Sequence, residues 1–176
     1  MKLKVLKKQN NSDMCVVCGL SNALSLRTRF YATEGELMVG LVTGRDEHQS
    51  YPNRMHGGMI TALLDEVIGR AINIPEPEAF GVTSEINVKF KKPVPLNEEI
   101  TVVGKLIRNT RLIFIAEGFI EDKAGNILAT ASATYVKMGA DKIAGKPLTQ
   151  DQWFLSPDDV SEVEVVNAGY WDKKAQ

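Results

Sequence analysis

The chain has 176 residues, of which 44% are hydrophobic and 24% charged, a balance that suits one globular domain with or without an appendage and a sizeable core. A formal net charge of −1 argues against a general nucleic-acid binder, which carries a strong basic excess. No run reaches the apolar length that spans a bilayer, and two cysteines three apart make no disulfide framework, so no membrane partner and a reducing, cytoplasmic setting are expected.

The opening MKLKVLKKQNN is basic but lacks both an uninterrupted apolar stretch and a small-residue cleavage site. It does not read as a signal peptide, and residues 1–14 stand apart as a basic N-terminal segment. Cys15 and Cys18 then supply only half of a zinc site, and His48 and His56 have no ligand-like spacing. A reduced turn is expected there, and no metal is assigned.

Residues 23–33 alternate as a strand, with Leu24, Leu26 and Phe30 on one side. Glu34-Gly35 makes a turn, and residues 36–43 continue with Leu37, Val39 and Leu41 on one face, completing a hairpin. The polar stretch 44–55, with Pro52 and Asn53, is a loop. Residues 57–73 carry apolar side chains around most of a helical circumference, which predicts a helix buried all round, stopped by Pro75 and Pro77. Four strand-like stretches follow, at 82–90, 99–108, 111–121 and 126–138, the second and third joined at Asn109-Thr110. One helix between a hairpin and a four-strand antiparallel run is an α+β pattern in which the sheet must wrap the helix. From Gly139 onward the chain is an extension holding Trp153 and Trp171. Its Ser156-Pro157-Asp158-Asp159 resembles a helix start, so residues 139–176 are expected to be part helical and docked on the body or on a second subunit.

The central helix carries the chemistry. Asp65 and Glu66 interrupt its apolar run, and an ionised acid in a buried helix costs several kcal/mol unless it is hydrogen-bonded or used. The preceding His56-Gly57-Gly58 offers free backbone N–H groups to an anion. An acid and an oxyanion site on one element point to acyl chemistry. Eight residues separate Gly57 from Asp65, about 12 Å along a helix, whereas both groups must approach one carbonyl to roughly 3 Å. The two halves of the site therefore come from different subunits, which predicts a homodimer, or a dimer of dimers, with the site at the interface. Glu66 is expected to pair with Arg70 on the helix surface.

At these residues a resemblance becomes specific. HGGMITALLDEVIGRA is similar to the HGGxxxxLxD signature of hotdog-fold acyl-CoA thioesterases of the phenylacetate-degradation-protein type. Gly81-Val82-Thr83, Asn87, Pro93 and the CxxCG of residues 15–19 extend it over roughly residues 15–138. The resemblance implies a hotdog fold, an antiparallel sheet wrapped around one long central α-helix, and hydrolysis of an acyl-CoA thioester to free acid and coenzyme A. The Gly57 N–H would polarise the carbonyl, Asp65 would attack it or activate a water, and Thr83 would hold that water or the carboxylate. The family's assisting asparagine falls at Ser50, with Gln49 and Asn53 nearby, and His56 stands at the helix start as a positioning residue. Gly58, Asn53 and Met59 are assigned to substrate, and Lys89, Lys91 and Lys92 to the phosphates of coenzyme A, which is itself part of the substrate; no separate cofactor is expected.

Two other readings compete. In a hotdog dehydratase His48 would be catalytic, but the partner glutamate would fall at Ala62, which cannot transfer a proton. A module that binds acyl-CoA without turnover would need no acid at position 65.

Overall fold

The computed structural model describes residues 1–145, 149 and 152–172. Strands β1 (Lys2–Lys8), β2 (Asn11–Ser12), β3 (Arg29–Thr33) and β4 (Leu37–Thr43) precede the central helix α1 (Gly57–Gly69). It is followed by β5 (Gly81–Phe90), β6 (Glu99–Asn109), β7 (Ile113–Glu121), β8 (Ile127–Lys137), the short α2 (Ala140–Ala144), β9 (Trp153–Phe154) and β10 (Glu162–Glu164). Eight strands form one antiparallel sheet in the order β10-β1-β3-β4-β6-β7-β8-β5, and β2 pairs with β9 apart from it.

The four strands after α1 lie within two residues of their expected bounds, because alternation marks them clearly. The first expected strand is shorter than its pattern. Arg27 adopts a left-handed backbone with φ of 52° and donates its N–H to Ser25 Oγ, so residues 23–28 form no strand and the N–H groups of Leu26 and Thr28 bond instead to the Val16 and Val17 carbonyls. Leu24 is exposed as a result, whereas Leu26 and Phe30 remain buried.

Helix α1 lies against β4, β5, β6, β7 and β8 and buries Ile60, Leu63, Leu64, Val67 and Ile68. Its approach is close where Gly104 of β6 pairs with Gly118 of β7. A Cβ at Gly118 would sit 2.3 Å from the Ile68 side chain, and one at Gly104 3.0 Å from the Ile68 Cα. The expectation of a helix buried all round is corrected. Gly58 is exposed, and Met59, Ala62, Asp65 and Glu66 are only half-buried, because the sheet covers one side of the helix and leaves this stripe open. The last turn tightens to a 3-10 helix over Arg70–Asn73.

A second apolar cluster fills the opposite face of the sheet. There Tyr31, Leu37, Val39, Val103 and Phe119 meet Leu3, Val163, Val165 and Trp171. Both chain ends build this layer. Strand β1 joins the sheet between β3 and β10, and its lysines face acids directly, Lys2 opposite Glu164 and Lys4 opposite Glu162. The basic segment and the acidic extension thus complement each other. Buried Glu121 anchors the junction, its carboxylate accepting bonds from the Val166 N–H at 2.7 Å, the Asn167 N–H at 3.0 Å and Asn167 Nδ2 at 2.8 Å.

The expected helix start at Ser156 is also corrected. Ser156 Oγ donates to Asp158 Oδ2 at 2.7 Å, the Lys8 ammonium takes the carbonyls of Ser156 and Asp158, and the chain runs on as β10 with Val163 turned inward. No described helix is long and apolar enough to cross a membrane.

Candidate active site

Two separate depressions open along the uncovered side of α1. The first lies at the helix N-terminus. His56 is the N-cap, extended at φ −64° and ψ 138°, and its Nδ1 accepts the Gly58 N–H at 2.9 Å. That bond fixes the His56 ring on the first turn of the helix. Among the described residues nothing accepts from the Gly57 N–H, one of the donors a helix start leaves free. Gly57 lies in a depression with Met55, Ile60, Phe90, Lys91, Lys92, Pro93 and Val94.

The loop before it is tightly built. Ser50 N–H bonds to the Arg54 carbonyl and Arg54 N–H to that of Tyr51, with Asn53 left-handed at φ 61°. Ser50 and Asn53 are both exposed on this turn. His48 is buried, its Nδ1 accepting from the Arg45 N–H at 2.9 Å. Its Nε2 therefore carries the proton and donates to the Leu24 carbonyl at 2.9 Å, so the ring is a structural lock with no free nitrogen.

The second depression, of about 180 Å³, surrounds Asp65. The Asp65 Oδ1 accepts from Thr83 Oγ1 at 2.9 Å and Tyr135 Oη at 3.1 Å, and the same hydroxyl reaches the Asp65 carbonyl at 2.9 Å. No described hydrogen bond engages Oδ2. Burial pushes the Asp65 carboxyl above its ordinary range; the bonds from Thr83 and Tyr135 pull the other way and are outweighed. An anchored, weakly solvated carboxylate with one oxygen free is equipped to take a proton.

The sheet sets this arrangement. Thr83 of β5 pairs with Tyr135 of β8, and a bulge follows between Thr83 and Glu85. Tyr135 ends an inward-facing series with Ala129, Ala131 and Ala133, where small side chains make room for the helix, and its ring stacks on Phe114 at 4.6 Å. Trp153 from the C-terminal extension and Arg70 complete the wall. Tyr135 and Trp153 are absent from the sequence-based site. The polar-tipped aromatic after three inward alanines is the signal that marks Tyr135, whereas Trp153 reaches the site only through the β2–β9 pairing.

Two further expectations change. Glu66 and Arg70 do pair, Oε1 to Nη2 at 2.7 Å, but Arg70 is buried, its guanidinium 3.9 Å over the Phe30 ring, because the N-terminal loop covers it. Lys89 is separated from Lys91 and Lys92. Strand alternation turns it with Asn87 to the outer face, beside Thr130, Ser132 and Tyr170, whereas β5 ends at Phe90 and the N–H groups of Lys91 and Lys92 both turn to the Leu128 carbonyl.

Comparison with known proteins bears on this geometry. The crystal structure of protein RHA08564, a thioesterase superfamily protein, superposes with a TM-score of 0.63 at 28% identity, covering 69% of this chain and 59% of that one. The fold is the hotdog fold. A hypothetical thioesterase from Streptococcus pneumoniae, solved with coenzyme A, shares the hotdog fold at a TM-score of 0.54 and 20% identity, over 58% of this chain and 82% of its own. The sequence model of the Thioesterase superfamily matches residues 53–129, a span that holds the helix residue of each hotdog depression, Gly57 and Asp65. Acyl-coenzyme A thioesterase THEM4 of Mus musculus is 28% identical over 122 residues, 68% of this chain. This chain spans about half the length of that relative, 50%.

Proposed function

We propose that this protein hydrolyses acyl-CoA thioesters, with Asp65 as general base. The observation that carries the reading is the Asp65 carboxylate, fixed through Oδ1 by Thr83 and Tyr135 with Oδ2 free in a depression that has room for water. The similarity to acyl-coenzyme A thioesterase THEM4 and to a thioesterase that binds coenzyme A supports the choice of substrate.

Asp65 Oδ2 takes a proton from a water, whose oxygen attacks the thioester carbonyl carbon. The oxyanion that forms is bound by the Gly57 N–H at the positive end of α1. Collapse breaks the carbon–sulfur bond, and the proton held on Asp65 passes to the leaving coenzyme A thiolate. Lys91 and Lys92 beside Gly57 are suited to the phosphates of coenzyme A.

Both groups sit on one helix, eight residues and about 12 Å apart, in depressions that share no residue. A two-fold dimer in which α1 helices run antiparallel brings Gly57 of one copy to Asp65 of the other. The half-buried stripe on α1 and the free edge of β5, which ends the sheet, support that pairing.

Hydrolysis of short, long and aromatic acyl-CoAs, followed as released thiol, tests the proposal. Wild type is expected to turn over at least one class, and Asp65→Asn to lose at least ~100-fold in kcat with its fold intact. Unchanged turnover by Asp65→Asn refutes the mechanism. A single turnover in ¹⁸O-water separates the routes: label entering the product acid directly supports the general base, whereas label in Asp65 means direct attack by the carboxylate.

A further inference from the structure

The CxxC turn of residues 15–18 takes no part in this mechanism, yet the fold builds it with care and sets it against α1. Gly19 N–H closes it onto the Cys15 carbonyl at 2.8 Å. A Cβ at Gly19 would lie 2.4 Å from that oxygen and 2.8 Å from the Cys15 nitrogen, so only glycine fits. The turn aims backbone donors at sulfur: Val17 N–H at 3.3 Å and Cys18 N–H at 3.4 Å from Cys15 Sγ, and Ser12 N–H at 3.4 Å from Cys18 Sγ. Such donors suit sulfur atoms that accept, as ligand sulfurs do.

Facing the two sulfurs is a carboxylate. The Cys15 and Cys18 sulfurs and a Glu66 oxygen all lie within 4.8 Å of one another, with Cys18 Sγ 3.7 Å from Glu66 Oε1. A tetrahedral zinc with bonds of about 2.3 Å to sulfur and about 2.1 Å to oxygen holds those two atoms about 3.6 Å apart. That pair, which meets here as thiol and carboxylate, is thus spaced closely enough to share an ion. Arg70 Nη2 bonds Glu66 Oε1 at 2.7 Å and approaches Cys18 Sγ at 3.6 Å, the position of an outer-shell partner that orients ligands. Once a metal displaces both thiol protons, two thiolates and a carboxylate against one guanidinium leave a negative excess that a divalent cation neutralises.

We infer that Cys15, Cys18 and Glu66 form a zinc site that ties the N-terminal turn to the central helix, one residue from Asp65. The paired thiolates select zinc over magnesium or calcium. Among the described residues the cluster offers three ligands, so the fourth position belongs to water. Glu66 would link the ion to Arg70, which walls the Asp65 depression.

Cobalt is the probe, because its bonds to thiolate absorb in the near ultraviolet. The full chain, reduced and stripped with chelator, is titrated with Co²⁺ and then with Zn²⁺. One equivalent of cobalt is expected to give thiolate-to-cobalt absorption, zinc to displace it, and bound zinc to protect both thiols from alkylation. Cys15→Ser should abolish the band, and Glu66→Gln should weaken binding at least tenfold while the band persists. Cys18 is fully buried, so its serine variant is judged only where circular dichroism matches wild type. No thiolate absorption from the reduced chain overturns the inference, as does binding that survives Cys15→Ser. A Cys15–Cys18 disulfide that persists in reductant overturns it too.

Discussion

Thr83 and Tyr135 face each other across β5 and β8 and donate to the same oxygen of Asp65. A register slip of one residue would send both side chains to the other face of the sheet. The carboxylate's orientation therefore depends on strand pairing as much as on the helix that carries it. Removing either hydroxyl should reduce activity without unfolding the chain. Thr83→Ala and Tyr135→Phe are each expected to lower kcat/KM by roughly 10-fold, the value of about one hydrogen bond to a charged group, with Thr83→Ser near wild type. Steady-state kinetics on one acyl-CoA checks this, and a Thr83→Ser variant as poor as Thr83→Ala would refute the hydroxyl's role.

The proposed sharing of the site between two copies gives a complementation test. Proline at Gly57 deletes the N–H while keeping a first helical residue. His56 is already extended as a residue before proline must be, and a Cβ at Gly57 meets Phe90 at an ordinary 3.6 Å. Gly57→Pro and Asp65→Asn should each be inactive alone. Unfolded together and refolded as an equal mixture, they should recover about a quarter of wild-type activity, since half the random dimers hold one intact site of two. No recovery in a mixture proven to contain heterodimers would mean that one copy supplies both groups.

Glu121 ties the C-terminal layer to the sheet with three accepted hydrogen bonds. Glu121→Ala strands the Val166 and Asn167 amides and should cost about 3 kcal/mol. For a chain of this size that lowers Tm by roughly 6–12 °C, measurable by calorimetry. A Tm within a degree of wild type would show that the extension is held by its apolar contacts alone.

Asp158 predicts a pH dependence. Burial opposes its ionisation, but bonds from Ser156, Lys8 and Tyr31 outweigh that and hold the carboxyl below its ordinary range. A group whose folded pKa is depressed stabilises the fold above its unfolded pKa, and that contribution is lost as pH falls through the folded value. The link between β1 and the extension should therefore weaken as pH drops below about 4, the range of an unfolded aspartate. Denaturant titrations against pH should show a steeper acid loss for wild type than for Asp158→Asn. Parallel curves would remove this group from the account.

Local pattern made much of the protein legible. Alternation located β5 through β8, the apolar helix with its paired acids marked α1, and the helical rise set Gly57 and Asp65 about 12 Å apart along it. These are short-range properties, set by residues that repeat every two or every 3.6 positions. For Tyr135 the alanine series marks an inward aromatic but not its bond to Asp65, which needs the β5–β8 register, and Trp153 was not legible, because a two-residue strand holds it near the site. The charge of β1 was visible, but not that its lysines would meet Glu162 and Glu164 across more than 150 residues of chain.

By itself, then, the sequence determined the central helix, the four strands that follow it and which acid interrupts the helix's apolar run, since these follow from the order of side chains along a few turns. Only the tertiary structure decided which groups hold that acid, that Lys89 faces away while Lys91 and Lys92 flank Gly57, and that Arg70, paired with Glu66, is buried beside the cysteines. Those outcomes depend on register and on the covering of one face by distant chain, which no local period encodes.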